Sequence, residues 1–378
     1  MRYALMLLSA CALLLLGCGR KERAIVVGGL FPLSGNAATF GQSSKQGMEL
    51  AIARFNMRGG ITVSGTKLPV KAIYEDDEGQ PEKAANACQK LISQDRIVGL
   101  IGAVMSKNSL AIAPICQSAR VPMISPASTN VNVTAAGDFI FRACFIDPFQ
   151  GAVMATYAYA TLGARRAAMI FDNGNDYNKG LAEVFKQKFT SLGGAVVASE
   201  AFTDEANTVD YKAQLTNIKA AKPDFLYCPN YYAADAVIMK QAHEIGLVVP
   251  TGGGDGWDSP QLDSIGGKDV EGCVFSNHFS KDDTSTIIID FVKHYTEAFG
   301  SAPDALASLA YDAATIMLTA IEKTGSTDGT VLKDAIKGIS VIGVSGAISF
   351  DDKRNPIKPA VILKMENGRQ KYVATVNP

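Results

Sequence analysis

The chain has 378 residues with 36 basic and 37 acidic side chains, a net charge of −1, and 47% hydrophobic residues. Charges of both signs are interspersed and form no basic stripe, which excludes a nucleic-acid partner held through phosphate contacts. The length suits about two domains of ordinary size with a large buried core.

The first 23 residues, MRYALMLLSACALLLLGCGRKER, carry Arg2, an apolar run from Ala4 to Leu16, and Leu-Leu-Gly before Cys18. The run is too short for a stable membrane span and has the layout of a bacterial secretion signal. Its end resembles a lipobox, at which Cys18 is lipidated and becomes the mature N-terminus. Residues 1–17 then form the signal and 18–23 a tether, leaving 378 − 17 = 361 residues. No second segment reads as long and apolar enough to cross a bilayer. The expectation is a soluble domain held to a bacterial membrane by its lipid, in the periplasm or at the cell surface.

From Ala24 the chain alternates short apolar runs with helical periodicity. AIVVGGL (24–30) reads as a strand. Met48, Ala51, Ile52 and Phe55 fall on one helical face, which RGG at 58–60 ends. LPVKAIYE (68–75) reads as a strand and PEKAANACQKLISQ (81–94) as a helix with proline at its start. VGLIG (98–102), SLAIAPICQSA (109–119) and VPMIS (121–125) continue the rhythm. A second series follows FIFRACFIDPFQG (139–151), with strands RAAMIFD (166–172), AVVASEAF (195–202), DFLYCPN (224–230) and VVPTGG (248–253) separated by helices. Repeated strand–helix units predict two doubly wound α/β lobes with parallel sheets. Residues 284–299, 304–324 and 330–338 read as helices. Residues 346–351, 359–368 and 370–376 read as strands, the last two joined at Asn367-Gly368. Cys88 and Cys116, on consecutive predicted helices, can pair in an oxidising compartment or remain buried thiols.

Enzyme signatures are missing. There is no phosphate loop, no dinucleotide fingerprint and no nucleophile elbow. The three histidines, His243, His278 and His294, have no metal or dyad spacing and read as structural or surface residues. EDDE (75–78) sits before a helix start, where carboxylates cap free amides, so no metal site is assigned there. No cofactor is expected.

What stands out is a set of polar or aromatic loops after strand ends, where open α/β sheets bind ligands. These are AVMSKNS (103–109), SPASTN (125–130), NGNDYNKG (173–180), NYYAAD (230–235) and GGGDGWDS (252–259). Ser106 and Thr129 place hydroxyls near free amides, which suits an anion. Asp255 lies between glycines that permit close approach, two residues before Trp257, the single tryptophan. Tyr177 and Tyr231 offer flat walls with polar tips.

These loops, with FPLSG, GMELAIARFNMRGGI, PEKAANACQKLI, VPMISPASTN, FRACFIDPFQG, QAHEIGL, AYDA and GAISFD in this order, give the chain a resemblance over nearly all of 24–378. It resembles the substrate-binding proteins of branched-chain amino acid ABC transporters, with the type I periplasmic binding fold. The resemblance implies one lobe of 24–142 plus 280–344, a second of 143–279 plus 345–378, and a cleft that closes about a hinge. Ser106 would bind an amino acid's carboxylate and Ala127 would offer its carbonyl to the ammonium. Thr129 would serve both ends, and Asp255 would pair with the ammonium. Tyr177 and Tyr231 would close from the second lobe. Phe40 would line the side-chain pocket, with Trp257 beside it, giving an apolar pocket for a small or medium aliphatic side chain. Phe40, Asp255 and Tyr177-Asn178 stand where relatives carry Tyr, Glu and Tyr-Gly. The implied partners are an amino acid and an ABC permease, without catalysis. A ligand-sensing receptor of the same fold and an α/β enzyme are the alternatives.

Overall fold

A computed structural model describes residues 23–378, so the secretion signal and Cys18 lie outside the described residues. The chain builds a first lobe from β1 (Ile25–Phe31), α1 (Ala38–Met57), the hairpin β2 (Ile61–Val63) and β3 (Thr66–Leu68), then β4 (Val70–Asp76) and α2 (Pro81–Ser93). It continues through β5 (Leu100–Gly102), α3 (Ser106–Ala119), β6 (Met123–Ser125), α4 (Asn132–Ala135) and β7 (Ile140–Arg142). These strands form one all-parallel sheet in the order β4-β1-β5-β6-β7, with β2–β3 apart. The run read as one strand at 68–75 is thus divided: Leu68 ends the hairpin and Val70 begins β4. Cys88 and Cys116 face each other from α2 and α3 as buried thiols, with their sulfurs 3.6 Å apart.

The second lobe contains α5 (Asp147–Thr156), β8 (Arg166–Asp172), α6 (Asp176–Ser191), β9 (Ala195–Phe202), α7 (Lys212–Ala220), β10 (Phe225–Tyr227), α8 (Tyr232–Glu244), β11 (Thr251–Gly253), α9 (Gln261–Gly266) and β12 (Val274–Asn277). The chain then returns to the first lobe with α10 (Thr286–Phe299), α11 (Ala305–Thr324) and α12 (Gly329–Lys337). It ends with the pair β13 (Ser340–Gly343) and β14 (Gly346–Ser349), then β15 (Ala360–Glu366) and β16 (Arg369–Val376). The second sheet has the order β16-β15-β12-β11-β10-β8-β9, in which only β15 and β16 run antiparallel to their neighbours.

One helix departs from the sequence reading in composition. By length and hydropathy α11 could cross a membrane, yet 83% of its apolar window is buried inside the protein. It is the core helix of the first lobe. Asp304 Oδ1 caps it by accepting from the Ala307 amide at 2.9 Å. Helix α1 lies against it so closely that a Cβ on Gly47 would stand 2.0 Å from the Ala307 carbonyl oxygen. Any side chain there forces the two helices apart.

In both sheets the strand order reverses beside the first strand of its series, between β1 and β5 and between β8 and β10. The loops after these strands diverge and leave a crevice at the carboxyl ends. The chain passes between the lobes three times. Residues 143–146 join β7 to α5, and 278–285 join β12 to α10. The third passage lies beyond β14. Phe350 packs edge-on against Phe141 at 5.3 Å, and Arg354 Nη2 donates to the Thr134 carbonyl at 2.7 Å. The chain therefore stays on the first lobe past the expected boundary at 344/345, which falls inside the turn between β13 and β14.

Candidate functional site

Six of the eight expected ligand residues line one small cavity between the lobes: Phe40, Ser106 and Ala127 from the first, and Tyr177, Tyr231 and Asp255 from the second. Val104, Met105, Gly256 and Leu306 complete the wall. Ser106 is the first residue of α3, whose free amides favour an anion.

The loop 125–130 is held by its serine hydroxyls and by one buried arginine. Ser125 Oγ donates to the Ala103 carbonyl at 2.7 Å, and the Ser128 amide donates back to Ser125 Oγ at 3.0 Å. Ser128 Oγ also reaches the Val104 carbonyl at 2.9 Å. Beneath lies Arg142, buried, with Nη1 donating to the Ser128 carbonyl at 2.5 Å and Nη2 to the Asn130 carbonyl at 2.8 Å. Thr129 is buried beside the cavity, and its Oγ1 has no hydrogen-bond partner.

The second lobe presents charge. Asp255 Oδ1 accepts from Tyr177 OH at 2.8 Å and from Gln150 Nε2 at 3.0 Å, while Oδ2 lies 2.9 Å from His278 Nε2. Gln150 Oε1 in turn accepts from the Asp255 amide at 2.9 Å and from Ser276 Oγ at 3.1 Å. The glycines around Asp255 make this approach possible: a Cβ on Gly254 would lie 2.6 Å from Tyr177 OH, and one on Gly256 3.0 Å from it. Tyr177 and Tyr231 stack at 5.2 Å with their rings 4° from parallel.

Trp257 does not reach the cavity. It is fully buried, donates from Nε1 to the Cys228 carbonyl at 2.9 Å and stacks on Phe275, so it supports the Asp255 loop from below. The pocket's apolar end is instead Phe40, Val104, Met105 and Leu306.

Three residues near the cavity escaped the sequence reading. Gln150 stood within a family marker without a role. His278, read as structural or surface, is buried against Asp255 rather than at the surface. Asp147, the first residue of α5, is buried with neither carboxylate oxygen in a hydrogen bond. Desolvation pushes its pKa up to about 7; the nearby Thr129 hydroxyl lowers it without forming a well-aligned bond, and Asp255 adds repulsion.

The lobes touch around the site. Asn36 Nδ2 donates to the Ala206 carbonyl at 2.6 Å, Asn130 Nδ2 donates to the Asp176 carbonyl at 3.1 Å, and Phe40 packs edge-on against Tyr231 and Tyr232. The cleft is closed.

Residues 24–370 match the family model described as periplasmic binding protein. The chain is 29% identical over 349 residues to the Leu/Ile/Val-binding protein homolog 3 of Brucella melitensis, covering 91% of this chain and 92% of the relative. Among solved structures, the leucine binding protein LivK of Thermotoga maritima is 36% identical with a TM-score of 0.87, covering 94% of this chain and 99% of that one. LivJ of Streptococcus pneumoniae, a branched-chain amino acid transporter substrate-binding protein in complex with isoleucine, is 29% identical with a TM-score of 0.88, covering 94% and 100%.

Proposed function

The chain belongs to the periplasmic binding protein family and has its type I fold, and on that premise we propose that it captures an amino acid with a small or medium aliphatic side chain outside the cytoplasm and delivers it to an ABC transporter permease. It does no chemistry. The observation that carries this reading is the Asp255 carboxylate on the cavity wall. A carboxylate has about four acceptor positions. Two receive hydrogens from Tyr177 and Gln150, His278 Nε2 lies against a third, and the fourth suits an ammonium.

The rest of the zwitterion follows. Ser106 and the start of α3 take the carboxylate. The Ala127 carbonyl and the Thr129 hydroxyl join Asp255 at the ammonium, and neutral dipoles in the first lobe serve both ends without repelling either. Phe40, Val104, Met105 and Leu306 enclose the side chain, and Tyr177 and Tyr231 close over it. The lobes hinge at 143–146, 278–285 and the segment beyond β14. Leu-Leu-Gly-Cys supports lipidation at Cys18, which tethers the protein to a bacterial membrane.

Calorimetry with L-leucine, L-isoleucine, L-valine and L-alanine, beside 4-methyl-2-oxopentanoate, tests the reading. At least one amino acid should bind at micromolar concentration or tighter, and the keto acid, which lacks the ammonium, should bind poorly. Equal affinity for leucine and its keto acid removes the amino-acid assignment.

A further inference from the structure

His278 lies in the second passage between the lobes, one residue past β12. Its ring stacks on Phe145 with centroids 3.6 Å apart and planes 26° from parallel. Phe145 belongs to the first passage, so two separate hinge strands clamp the imidazole. Its backbone amide donates to Oδ1 of the preceding Asn277 at 2.8 Å, a local bond that restrains the start of the second passage. From this clamp Nε2 reaches Asp255 Oδ2 at 2.9 Å, and Nδ1 is buried without a partner.

Only one protonation state fits these surroundings well. With the proton on Nε2 the ring donates to Asp255, and only a weak acceptor is left unpaired at Nδ1. With the proton on Nδ1, a buried donor has no acceptor and Nε2 turns a lone pair toward a carboxylate. With both protons, Nδ1–H is again orphaned and a second charge is buried. The ionisable groups around the ring agree. Asp255 attracts a proton to it, while Lys358, buried in the third passage, opposes one. The Cys144 thiol beside Phe145 is pushed up to about 12 by burial and stays neutral. Burial is the largest influence and holds His278 below its ordinary value.

We propose that His278 is the positioning residue for ammonium recognition: a neutral imidazole clamped by Phe145 donates from Nε2 to Asp255 Oδ2, fixing the carboxylate while leaving its negative charge uncancelled for the ligand. A lysine or arginine at this place would hold the carboxylate equally well and neutralise it. The tyrosine and glutamine on Oδ1 are neutral donors too, so the whole support of Asp255 preserves its charge. The sign of the pH effect follows. Above the depressed pKa of His278 the site is anionic. Below it an imidazolium faces Asp255, competes with the ligand's ammonium, and affinity falls.

The inference rests on Asp255 reading the ammonium, and the test separates the two. L-leucine and 4-methyl-2-oxopentanoate are titrated calorimetrically into the native protein, His278→Leu, His278→Gln and Asp255→Asn between pH 4.5 and 8. His278→Leu should weaken leucine about tenfold at pH 7.5 and leave the keto acid within about twofold. His278→Gln, which carries a neutral donor at a comparable reach, should restore leucine to within about threefold and flatten the acidic limb. Equal losses for both compounds in His278→Leu reduce His278 to a packing residue and overturn the proposal. If Asp255→Asn also lowers both affinities by the same factor, the ammonium reading itself falls. If Asp255→Asn lowers the affinity for leucine alone and His278→Leu lowers both alike, only the present inference falls. Nitrogen-15 NMR of the unliganded protein at pH 7.5 gives a readout that needs no ligand: the His278 ring should be the Nε2–H tautomer, and an Nδ1–H tautomer or an imidazolium overturns the proposal.

Discussion

The two lobes meet the cavity with opposite chemistry. The first offers hydroxyls and backbone, with Ser125 and Ser128 tied to the Ala103 and Val104 carbonyls and Arg142 clamping the loop from beneath. None of the serine groups titrates, and the one charge, Arg142, is spent on main-chain carbonyls. The second offers Asp255 on a neutral scaffold of Tyr177, Gln150 and His278, with Asp147 and Glu205 buried nearby. A neutral, fixed surface selects by shape at any pH. A desolvated charged surface gives stronger recognition and makes the protein sensitive to protons. On the proposed function the lobes thus divide the work into fit and charge.

The sharpest way to break that division is to damage each side separately. Arg142→Met removes the donors to the buried Ser128 and Asn130 carbonyls. The Val133 amide still donates to the Asn130 carbonyl at 3.2 Å, but the Ser128 carbonyl is left unsatisfied at a cost of about 1–3 kcal/mol, so chemical denaturation should show a loss of about that size. On the proposed reading the loop serves both ends of the ligand, so leucine and its keto acid should weaken together. A selective loss of the amino acid in this variant would mean that the first lobe also reads charge.

Asp255→Asn attacks the other side. A hydrogen bond to a charged group contributes about 1.5–3 kcal/mol, or roughly ten- to a hundredfold in affinity. Leucine should weaken by that factor and its keto acid hardly at all. The asparagine Oδ1 can still accept from Tyr177 and Gln150, and His278 can change tautomer to accept from its Nδ2. The melting temperature of the unliganded protein should therefore shift by only a few degrees. A collapse of stability instead would mark Asp255 as chiefly structural.

This division was half legible beforehand. Ser106, Ala127, Tyr177, Tyr231 and Asp255 all follow strand ends, and strand order at the switch points brings such loops together whatever lies between them. Phe40 and the role of Ala127 were reached through the resemblance. Trp257 shared the loop of Asp255, but a 3-10 turn over Asp255–Trp257 sends the indole down onto Phe275. Such a turn rests on local glycine geometry, which periodicity does not reveal. His278 was hidden for another reason. It meets Asp255 only because β12 lies beside β11 and the chain then leaves the sheet under Phe145. Pairings of that kind depend on where a hinge strand emerges, and no spacing of residue types encodes it. β14 falls within the strand read at 346–351, whereas β13 and the late third passage were missed because a half-exposed short strand lacks a clear apolar alternation.

Proton dependence sharpens the comparison further. Glu205, at a second-lobe loop, is pushed up to about 8 chiefly by desolvation, with Asp172 adding repulsion. Its folded pKa exceeds the unfolded value, so between roughly pH 4.3 and 8 the folded protein holds the proton more firmly. The stability from this group is present at low pH and lost as pH rises through about 8. Asp147 behaves alike, lost through about 7. Each can contribute up to about 1.4 kcal/mol per pH unit within its window. His278 works in the opposite sense, since its lowered pKa costs stability as pH falls below about 6.5. Thermal unfolding of the unliganded protein should give a higher melting temperature at pH 6.5 than at pH 8. Glu205→Gln should reduce that slope whatever it does to the absolute value. An unchanged slope would place the proton uptake elsewhere.

The smallest expected effect lies at the rim, where the lobes hold each other without the ligand. Asn36 Nδ2 donates to the Ala206 carbonyl across the cleft at 2.6 Å, in an exposed position. An exposed hydrogen bond of this kind nets about 0.5–1.5 kcal/mol at most, because water competes for both partners. Asn36→Ala should therefore weaken leucine binding by roughly two- to fivefold. The contact joins the two lobes, and on the proposed hinge motion it is lost on opening, so the change should appear in the dissociation rate, with the association rate nearly constant. Stopped-flow fluorescence of Tyr177 and Tyr231 is suited to separate the two. The keto acid should weaken by the same factor, since the rim contact stabilises closure and reads neither end of the ligand. If the loss falls on association instead, Asn36 acts in the open protein, and the rim belongs with the pre-formed surface of the first lobe rather than with the closing motion.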